Sequence, residues 1–512
     1  GPRQAWTEVY AGDRTVRVGG RFRSRVRLEL PTGTRAIRMR AQSPQNAGVL
    51  IDDLLIAKPT PMRVDRAEHT AWVVPAMIGD WSPITRVEIE TIGFQAPLQV
   101  TACTVRLATP TPSIARLRIG LSTDSDGRPL TQAWPVRFAA EKQLARVSCQ
   151  LALREGTQSL WIEAQLGPTA TWTSRVGASV AEIELSDGSK WVPSGAGLQQ
   201  QPAVAVRRPG DDNCHTFRIP GLVTTNAGTL LAVYDCRYRS SGDLPGDIDV
   251  GLRRSTDGGR TWEPQQIALD LGRDPKWSYD GVGDPAILVD RQTGAVWVAA
   301  TWSHGNRSWH GSGPGLEPEQ TGQLLLSRSD DDGRTWSPPI NITKQIKDPK
   351  WRFVLQGPGA GISMRDGTLV FAAQYRSSDA RPTKGKPFST LIYSKDHGKT
   401  WHIGTGPRID TTEAQVVELP GGDLMLNCRD NRGGSRAVLV TSDLGKTWRD
   451  HSSSRSALIE PVCMASLPRV DRRKRKIALQ DHFLLRRRGR IGVPVPRALH
   501  AGERDRAWRR YR

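Results

Sequence analysis

One eight-residue pattern recurs four times between residues 255 and 448, and it restricts the fold more than any other feature of the sequence. The copies are STDGGRTW (255–262), SDDDGRTW (329–336), SKDHGKTW (394–401) and TSDLGKTW (441–448), all of the form S/T-x-D-x-G-x-T-W. Their tryptophans are 74, 65 and 47 positions apart. Repeats at this scale in a chain of short strands and turns indicate the blades of a β-propeller. We call each copy an Asp box.

Each Asp box is expected to be a turn between two strands and not a catalytic group. Its Asp carboxylate can accept backbone N–H groups inside the turn, and its Gly allows a positive φ. The Trp can cover apolar surface between neighbouring sheets while its N–H finds an acceptor. A partial copy at residues 122–127 lacks the final Thr-Trp pair, and we exclude it.

The whole chain is expected to be all-β and to form two or three domains. Its 512 residues exceed one ordinary domain, and its 50 Gly and 35 Pro are scattered as in a protein of many turns. Residues 1–108 alternate apolar and polar positions, for example at 22–30 and 87–91, which predicts a β-sandwich accessory region. Residues 109–200 repeat the alternation at 145–153 and 160–166 and are predicted to form a second N-terminal β domain. Residues 201–210 are predicted to be a linker, and the propeller is predicted to span 205–470.

The net charge of +20 is unevenly distributed along the chain. Residues 471–512 hold 13 Arg and 2 Lys against 3 Asp and 1 Glu, so more than half of the excess positive charge lies in this basic tail. The charge of the remaining residues is ordinary, so we expect no nucleic-acid partner and mildly favour an acidic substrate.

The cysteine pattern gives no metal site and no disulfide assignment. The six cysteines lie far apart and include no CxxC pair, so a zinc site is not expected. No run of 18 apolar residues predicts a membrane span. The sequence starts at Gly and not Met, which is compatible with a removed signal peptide and with a secreted or periplasmic protein.

A specific motif precedes the first Asp box. Residues 217–220 read Phe-Arg-Ile-Pro, and residues 222–233 are predicted to form two strands with a turn at 226–228. This FRIP motif upstream of several Asp boxes resembles the bacterial exo-α-sialidase (neuraminidase) family, whose propeller has six blades. The resemblance implies that Arg218 is one of three arginines that clamp the substrate carboxylate. An Arg fork can bind that carboxylate through two parallel hydrogen bonds.

The same resemblance assigns the loop that follows the second of these strands. Residues 234–250 read YDCRYRSSGDLPGDIDV. By resemblance, Arg237 borders the pocket and Asp243 is the general acid/base, which protonates the departing glycosidic oxygen. Asp247 and Asp249 are rival candidates in the same segment, and the spacing favours Asp243.

A third segment resembles the family's pocket aspartate. Asp284, in the sequence Val-Gly-Asp-Pro at 282–285, would contact polar substituents of the sugar, or it is a turn residue before Pro. The loop at 302–315 (WSHGNRSWHGSGPG) resembles a pocket rim. In that loop, Trp302 or Trp309 would stack on a sugar or acyl group, and buried packing is an equal alternative for both.

A fourth segment matches the family at two positions together. Glu413 precedes a predicted strand and Arg429 lies sixteen residues later. The resemblance implies that Glu413 takes the proton of a tyrosine nucleophile and that Arg429 is the second member of the clamp. Glu418 is the weaker candidate because it falls within the strand pattern.

The resemblance ends after residue 471. The family's third clamp arginine and its tyrosine nucleophile lie late in the chain, yet no Tyr occurs between Tyr393 and Tyr511. A neutral phenol suits this role because an anionic nucleophile would be repelled by the substrate carboxylate. Three explanations are open for residues 471–512: a shifted reading frame, which we favour, a genuine basic tail, or a propeller continuation in unrecognised form. On the first, the last blade is lost or altered.

Three functions follow as expectations. The first is a retaining exo-α-sialidase that acts on terminal sialic acids of glycoproteins, glycolipids or oligosaccharides and needs no cofactor or metal. The second is a catalytically impaired remnant or sialoglycan-binding protein that keeps the pocket and lacks the nucleophile. The third, which we favour least, is an interaction protein that works through its basic tail. The oligomeric state is not readable from the sequence.

Overall fold

A computed structural model describes residues 60–467, with gaps at 72–74, 109–113, 123–129, 131, 139–142, 172–173, 198, 272–279, 382 and 461, together with Leu30, Thr34 and Ile37. The alternating run at 22–30, apart from Leu30, and the basic tail at 471–512 lie outside these residues. The described residues are almost entirely β-strand and turn, which confirms the all-β prediction. Their one α-helix, α1, spans Thr343–Ile346, and a short 3-10 helix spans Asp211–Asn213.

The amino-terminal part of the described chain is a β-sandwich. Its strands are β1 (Arg63–Thr70), β2 (Ala76–Met77), β3 (Trp81–Ile92), β4 (Gln99–Leu107), β5 (Ile114–Ser122), β6 (Gln132–Val136), β7 (Leu144–Ala152), β8 (Gly156–Leu166), β9 (Ala178–Leu185), β10 (Lys190–Trp191) and β11 (Pro202–Ala203). One sheet has the order β1-β3-β8-β5-β6 and the other β10-β9-β4-β7. The alternation that predicted a strand near 145–153 is visible in β7, where every second side chain is buried.

The described strands on both sides of residue 108 belong to this one sandwich. Strand β3 pairs with β8, and β4 pairs with both β7 and β9. A single apolar core runs from Met62 to Leu185. The boundary predicted between residues 108 and 109 therefore separates two strands of one unit and not two domains, because the pairing partners are distant in sequence.

The predicted linker at 201–210 is tied to both parts of the molecule. Its β11 pairs in parallel with β2 of the sandwich, and Arg208 forms an ion pair with Asp80. On the other side, Arg253 of the propeller donates from Nη1 to the carbonyl oxygen of Val206 at 2.7 Å. These contacts connect the sandwich to the first blade.

The second part of the chain folds into successive antiparallel sheets. Its strands are β12 (Thr216–Thr224), β13 (Leu230–Arg237), β14 (Ile248–Ser255), β15 (Gln266–Leu269), β16 (Gly281–Val289), β17 (Val296–Ser303), β18 (Gln323–Ser329), β19 (Ile340–Asn341), β20 (Phe353–Gln356), β21 (Gly359–Ala360), β22 (Ile362–Ser363), β23 (Leu369–Arg376), β24 (Pro387–Ser394), β25 (His402–Ile403), β26 (Thr411–Glu418), β27 (Leu424–Asp430), β28 (Gly434–Ser435), β29 (Ala437–Thr441), β30 (Arg449–Asp450) and β31 (Ile459–Glu460).

These strands form four blade sheets. Blade 1 has the order β12-β13-β14-β15, blade 2 β19-β18-β17-β16-β21, blade 3 β20-β23-β24-β25 with β22 on β23, and blade 4 β26-β27-β29-β30. Three apolar clusters fill the spaces between blades 1 and 2, 2 and 3, and 3 and 4. This arrangement is the predicted propeller; its six-blade count stays a prediction, since the described residues form four blades.

The Asp boxes have the same place in every blade, the turn between the third and fourth strands. In the first box, Oδ1 of Asp257 accepts the N–H groups of Arg260 and Thr261, both at 3.0 Å, as predicted. The four box glycines have φ between 78° and 86°. The box tryptophans differ: Trp401 is buried and donates to Gly398 at 3.1 Å, whereas buried Nε1 of Trp336 has no hydrogen-bond partner.

Candidate active site

The innermost strands of blades 1, 2 and 4 are irregular where the sequence places candidate site residues. The pairing register shifts between Arg218 and Gly221 in β12, between Gly283 and Ala286 in β16, and between Thr411 and Ala414 in β26. Bulges of this kind turn a side chain out of the sheet, and they are common next to active sites. The irregularities therefore distinguish Arg218, Asp284 and Glu413 from the regular strand residues around them.

The bulge in β12 explains the FRIP sequence. Ile219 has a φ of +54° and Pro220 has no N–H to donate to the ladder, so regular pairing stops after Arg218. Gly221 then passes close to β21 of blade 2: a Cβ at this position would lie 2.3 Å from the carbonyl oxygen of Gly359. A larger residue at 221 would not fit.

Asp243 lies in the loop between β13 and β14 and is held by two arginines. Its Oδ1 accepts Nη1 of Arg218 at 2.9 Å and Nη1 of Arg237 at 2.7 Å. The Asp243 side chain is 74% exposed and is therefore accessible from solvent. Desolvation opposes its ionisation, but the hydrogen bonds and charges of Arg237 and Arg218 outweigh this effect and lower the pKa of Asp243.

Arg237 lies beneath this loop and is buried. Its side chain is 1% exposed, and Nη1 also donates to the carbonyl oxygens of Ser241 at 2.9 Å and Gly242 at 2.7 Å. Its Nε and Nη2 donate to Oδ2 of Asp235 at 3.0 Å and 2.7 Å. Arg237 thus supports the loop that carries Asp243 from below.

Asp284 lies at the bulge of β16 with a φ of +57°. Its N–H donates to Oδ1 of Asp235 at 2.8 Å, and its carbonyl oxygen accepts Nε2 of Gln356. Burial is the main cause that raises the pKa of Asp284 to about 8, and the negative charge of Asp235 is the second. The positive charge of Arg237 lowers this pKa, whereas the negative charges of Glu413 and Asp243 raise it further. This mutual influence brings Asp243, Asp284 and Glu413, from three different blades, into one electrostatic site.

Glu413 and Arg429 form the blade 4 side of the site. Nη1 of Arg429, on β27, donates to Oε2 of Glu413, on β26, at 2.6 Å. Both side chains are partly exposed, that of Arg429 to 29% and that of Glu413 to 20%. The two residues that the family resemblance identified, sixteen positions apart, are therefore direct partners.

The rival candidates have other partners. Asp247 pairs with Arg239 at 3.2 Å, and Asp249 accepts the Tyr238 hydroxyl at 2.9 Å. Glu418 lies at the far end of β26 and pairs with Arg365 at 2.9 Å. These contacts favour Asp243 and Glu413 over the alternatives.

The segment at 302–315 is held in place by residues from other parts of the propeller. Buried Asp280 accepts Nε1 of Trp302 at 3.3 Å and contacts Nδ1 of His304 at 2.8 Å. Trp309 packs edge-on against Phe353, and Arg376 lies over its ring with the guanidinium carbon 5.5 Å from the centroid. Both tryptophans are half-buried, so both have packing roles and some accessible surface.

Sequence reasoning missed two buried residues that connect these groups, Asp235 and Gln356. Asp235 lies two residues before Arg237, and this D-x-R spacing on a strand places both side chains on one face. That alternation was the available signal. Gln356 gave none, because it reaches Asp284 across 72 residues of sequence.

The site contains no metal-ligand cluster. Within the part of the chain that the structure describes, no group of three or more His, Cys, Asp or Glu residues could hold a metal ion. The described site combines carboxylates with guanidinium groups, which can transfer protons and bind an anion.

The chain is similar in sequence to known proteins. The family described as BNR repeat-like domain matches residues 219–480. A sialidase of Bacteroides fragilis (strain YCH46) is 55% identical over 320 residues, which cover 61% of this chain and 58% of that protein. A sialidase of Micromonospora viridifaciens is 34% identical over 310 residues, which cover 60% of this chain and 46% of that protein.

A solved structure is similar to this chain over most of the length of both proteins. The Hadza microbial sialidase Hz136 superposes with a TM-score of 0.69 at 41% identity, covering 78% of this chain and 82% of that one. The chain spans about half the length of the two curated relatives. From the Asp-box blades, the matched family and these relatives, we conclude that the chain belongs to the bacterial sialidase family of BNR-repeat proteins.

Proposed function

We propose that the protein is an exo-α-sialidase that hydrolyses terminal sialic acids of glycoproteins, glycolipids or oligosaccharides with retention of configuration. The observation that carries this proposal is the grouping of Asp243, in the loop between β13 and β14, with Asp284 and Glu413, at the bulges of β16 and β26. Each of the three lies beside arginines or another carboxylate. Substrates with a carboxylate at the reacting carbon require such a mixture of cations and carboxylic acids.

In this proposal Arg218 and Arg429 bind the substrate carboxylate. Arg218 is 37% exposed and Arg429 29%, so both can be reached by a ligand. A carboxylate that recruits Arg218 also draws positive charge away from Asp243. The pKa of Asp243 then rises, and the group becomes protonated, as a general acid requires.

Glu413 serves in the same proposal as the base that activates a nucleophile. Arg429 fixes the Glu413 carboxylate through the 2.6 Å hydrogen bond. Asp284, with a pKa of about 8, is largely protonated at neutral pH and can donate a hydrogen bond to a polar substituent of the sugar.

Release of a fluorogenic sialoside tests this function. The wild-type chain is expected to release the fluorophore, and Asp243→Asn and Arg218→Ala are expected to reduce kcat/KM by about 10²-fold or more. Asp247→Asn is the matched control, since Asp247 is an acidic residue of the same loop that pairs with Arg239. Proton NMR of the first product should show the α-anomer. Equal turnover in wild type, Asp243→Asn and Arg218→Ala would show that the site is wrongly assigned.

A second candidate, a sialoglycan-binding protein without turnover, is favoured by the tyrosine positions. Of the described tyrosines, Tyr234 donates to Gln265 and Tyr238 to Asp249. Tyr375 stacks between Trp351 and Phe388, and Tyr393 lies beside His402. None of these contacts involves Glu413.

Binding and turnover together distinguish the two candidates. Isothermal titration with sialic acid should show binding that Arg429→Ala weakens under both. Binding without release of the fluorophore would support the second candidate, whereas release would support the first. As part of the proposal, sialylated glycans are the partners and the protein acts in a secreted or periplasmic location. The described residues contain no helix long and apolar enough to cross a membrane.

A further inference from the structure

Asp235 is a fully enclosed charged group beside the site, and each of its oxygens has a different partner. It lies on β13, and its side chain is 1% exposed. Oδ2 accepts both Nε and Nη2 of Arg237, at 3.0 Å and 2.7 Å. Oδ1 accepts the N–H of Asp284 in the next blade at 2.8 Å. One carboxylate thus connects two blades.

The first connection determines where Asp243 lies. Because Nε and Nη2 of Arg237 face Asp235, Nη1 is left for Asp243 at 2.7 Å and for the carbonyl oxygens of Ser241 and Gly242. A planar guanidinium that is bound along one edge cannot rotate without breaking two charge-assisted hydrogen bonds. Asp235 therefore orients the donor that holds Asp243.

The second connection determines where Asp284 lies. Asp284 adopts a left-handed backbone conformation at φ +57°, which non-glycine residues adopt only when their surroundings hold them. The hydrogen bond from its N–H to Asp235 and the bond from Gln356 to its carbonyl oxygen fix both ends of this residue. Gly283 leaves room for the approach, since a Cβ at 283 would lie 3.1 Å from Oδ1 of Asp235.

We infer that Asp235 is a positioning residue that fixes Asp243 and Asp284 relative to each other, so that the acid/base group and the pocket aspartate contact one bound substrate. The inference rests on the proposed sialidase function and extends it to a residue that touches neither substrate nor reacting atoms. The charges of Arg237 and Arg218 and the hydrogen bond from the Asp284 N–H act on the Asp235 carboxylate.

The test is Asp235→Asn in the full chain, assayed with the fluorogenic sialoside. An amide keeps the size of the side chain but places an NH₂ group against Arg237 or against the Asp284 N–H. We expect kcat to fall by about 10²-fold with a smaller change in KM, since misplacement by about 1 Å has this effect on rate. In this variant the charge of Arg237 is no longer balanced by Asp235, so Arg237 stabilises the Asp243 carboxylate more strongly and lowers the pKa of Asp243. The alkaline limb of the kcat/KM profile should therefore move to lower pH.

Two further variants separate positioning from general loss of stability. Asp290→Asn changes another fully buried aspartate, one that bonds to Thr293 and His397 away from the site. It should lower Tm and leave the pH profile of the folded enzyme unchanged. Gly283→Ala should push Asp235 aside and reproduce the Asp235→Asn profile in weaker form.

Unchanged kcat and pH profile in Asp235→Asn, or a loss that only follows Tm as in Asp290→Asn, would overturn the inference. If the wild-type chain releases no fluorophore, the proposed function fails separately, and crystal structures of wild type and Asp235→Asn decide the positioning role. An Arg237–Asp243 contact and a left-handed Asp284 that both persist in the variant would then contradict it.

Discussion

Glu413 and Arg429 lie on adjacent strands of blade 4, and Nη1 of Arg429 is 2.6 Å from Oε2 of Glu413. The contact has two consequences for the proposed reaction. It orients a carboxylate that must accept a proton, and it occupies one donor of an arginine that must also bind the substrate carboxylate. The two roles can be separated by mutation.

Glu413→Gln is expected to lower kcat by about 10²–10⁴-fold, since an amide cannot accept the proton of a nucleophile. KM should change little, because Arg429 keeps its place. Arg429→Ala should instead raise KM. The loss of kcat/KM in the double variant should be smaller than the product of the losses in the two single variants, because the two residues act together. Steady-state kinetics on the fluorogenic sialoside measures all three. Independent, multiplicative effects would argue against a shared function of the pair.

The role of Asp243 as an acid can be tested through the leaving group. A phenolic leaving group needs little protonation, whereas a sugar alcohol needs much. Asp243→Asn should therefore lose more activity, by a further factor of about 10 to 10², on a natural sialyl disaccharide than on the fluorogenic sialoside. Equal losses on both substrates would indicate a binding role for Asp243.

Asp284 gives a prediction on stability and pH. Its folded pKa of about 8 lies above the value of about 3.9 in an unfolded chain. The folded state therefore binds the proton more tightly, and this group's contribution to stability declines as pH rises from about 4 to about 8. Asp284→Asn removes that decline. The difference in Tm between Asp284→Asn and wild type should therefore favour the variant more at pH 8.5 than at pH 4.5. Substrate affinity of the variant should fall.

Thermal unfolding monitored by circular dichroism at both pH values measures this difference. Asn tolerates the left-handed conformation, so backbone strain does not confound the comparison. A Tm difference that is the same at pH 4.5 and pH 8.5 would contradict the raised pKa.

The Asp boxes should contribute to stability and not to catalysis. Asp396 accepts the N–H of Thr400 at 2.9 Å and its hydroxyl at 2.6 Å, and the pKa of Asp396 is lowered to about 2. Although desolvation opposes ionisation, the hydrogen bonds from Thr400 and Ser394 outweigh it. The stabilisation is thus present above about pH 4 and is lost as pH falls towards 2.

Asp396→Ala is expected to reduce the free energy of unfolding by about 1–3 kcal/mol at pH 7, through the loss of these hydrogen bonds. The difference from wild type should shrink below pH 4. Urea unfolding at several pH values measures it, and kcat of the folded variant at low temperature should equal that of wild type. A large fall in kcat would contradict a purely structural role.

A buried ion pair attaches the last described strand to blade 4. Glu460 is fully buried and accepts Nη1 of Arg436 at 3.1 Å and the N–H of Asp430 at 2.9 Å. Glu460→Gln leaves Arg436 with a neutral neighbour, which is expected to cost about 3–5 kcal/mol. Hydrogen exchange should then accelerate first in residues 424–441. The surface variant Glu317→Gln, which removes an exposed pair with Lys344, should change stability by less than about 1 kcal/mol.

The sequence by itself determined the features that depend on a few neighbouring residues. An Asp box closes its hydrogen bonds within eight residues, so the pattern predicted both the turn and the blade that it joins. The FRIP motif, with Pro220 and Gly221 after Arg218, likewise contains the cause of the bulge in its own sequence. The family resemblance assigned Glu413 and Arg429 from their positions in a short segment, and adjacent antiparallel strands joined by a short turn bring these positions together.

Only the tertiary structure decided the features that depend on partners far apart in the chain. The sandwich interleaves strands from both sides of residue 108, and local alternation does not state which strand pairs with which. Arg237, predicted at the pocket border, is buried beneath Asp243 because Asp235 holds it there. Asp235 in turn reaches Asp284 across 49 residues and from one blade to the next. Such a contact arises from the packing of whole sheets, which no short stretch of sequence specifies.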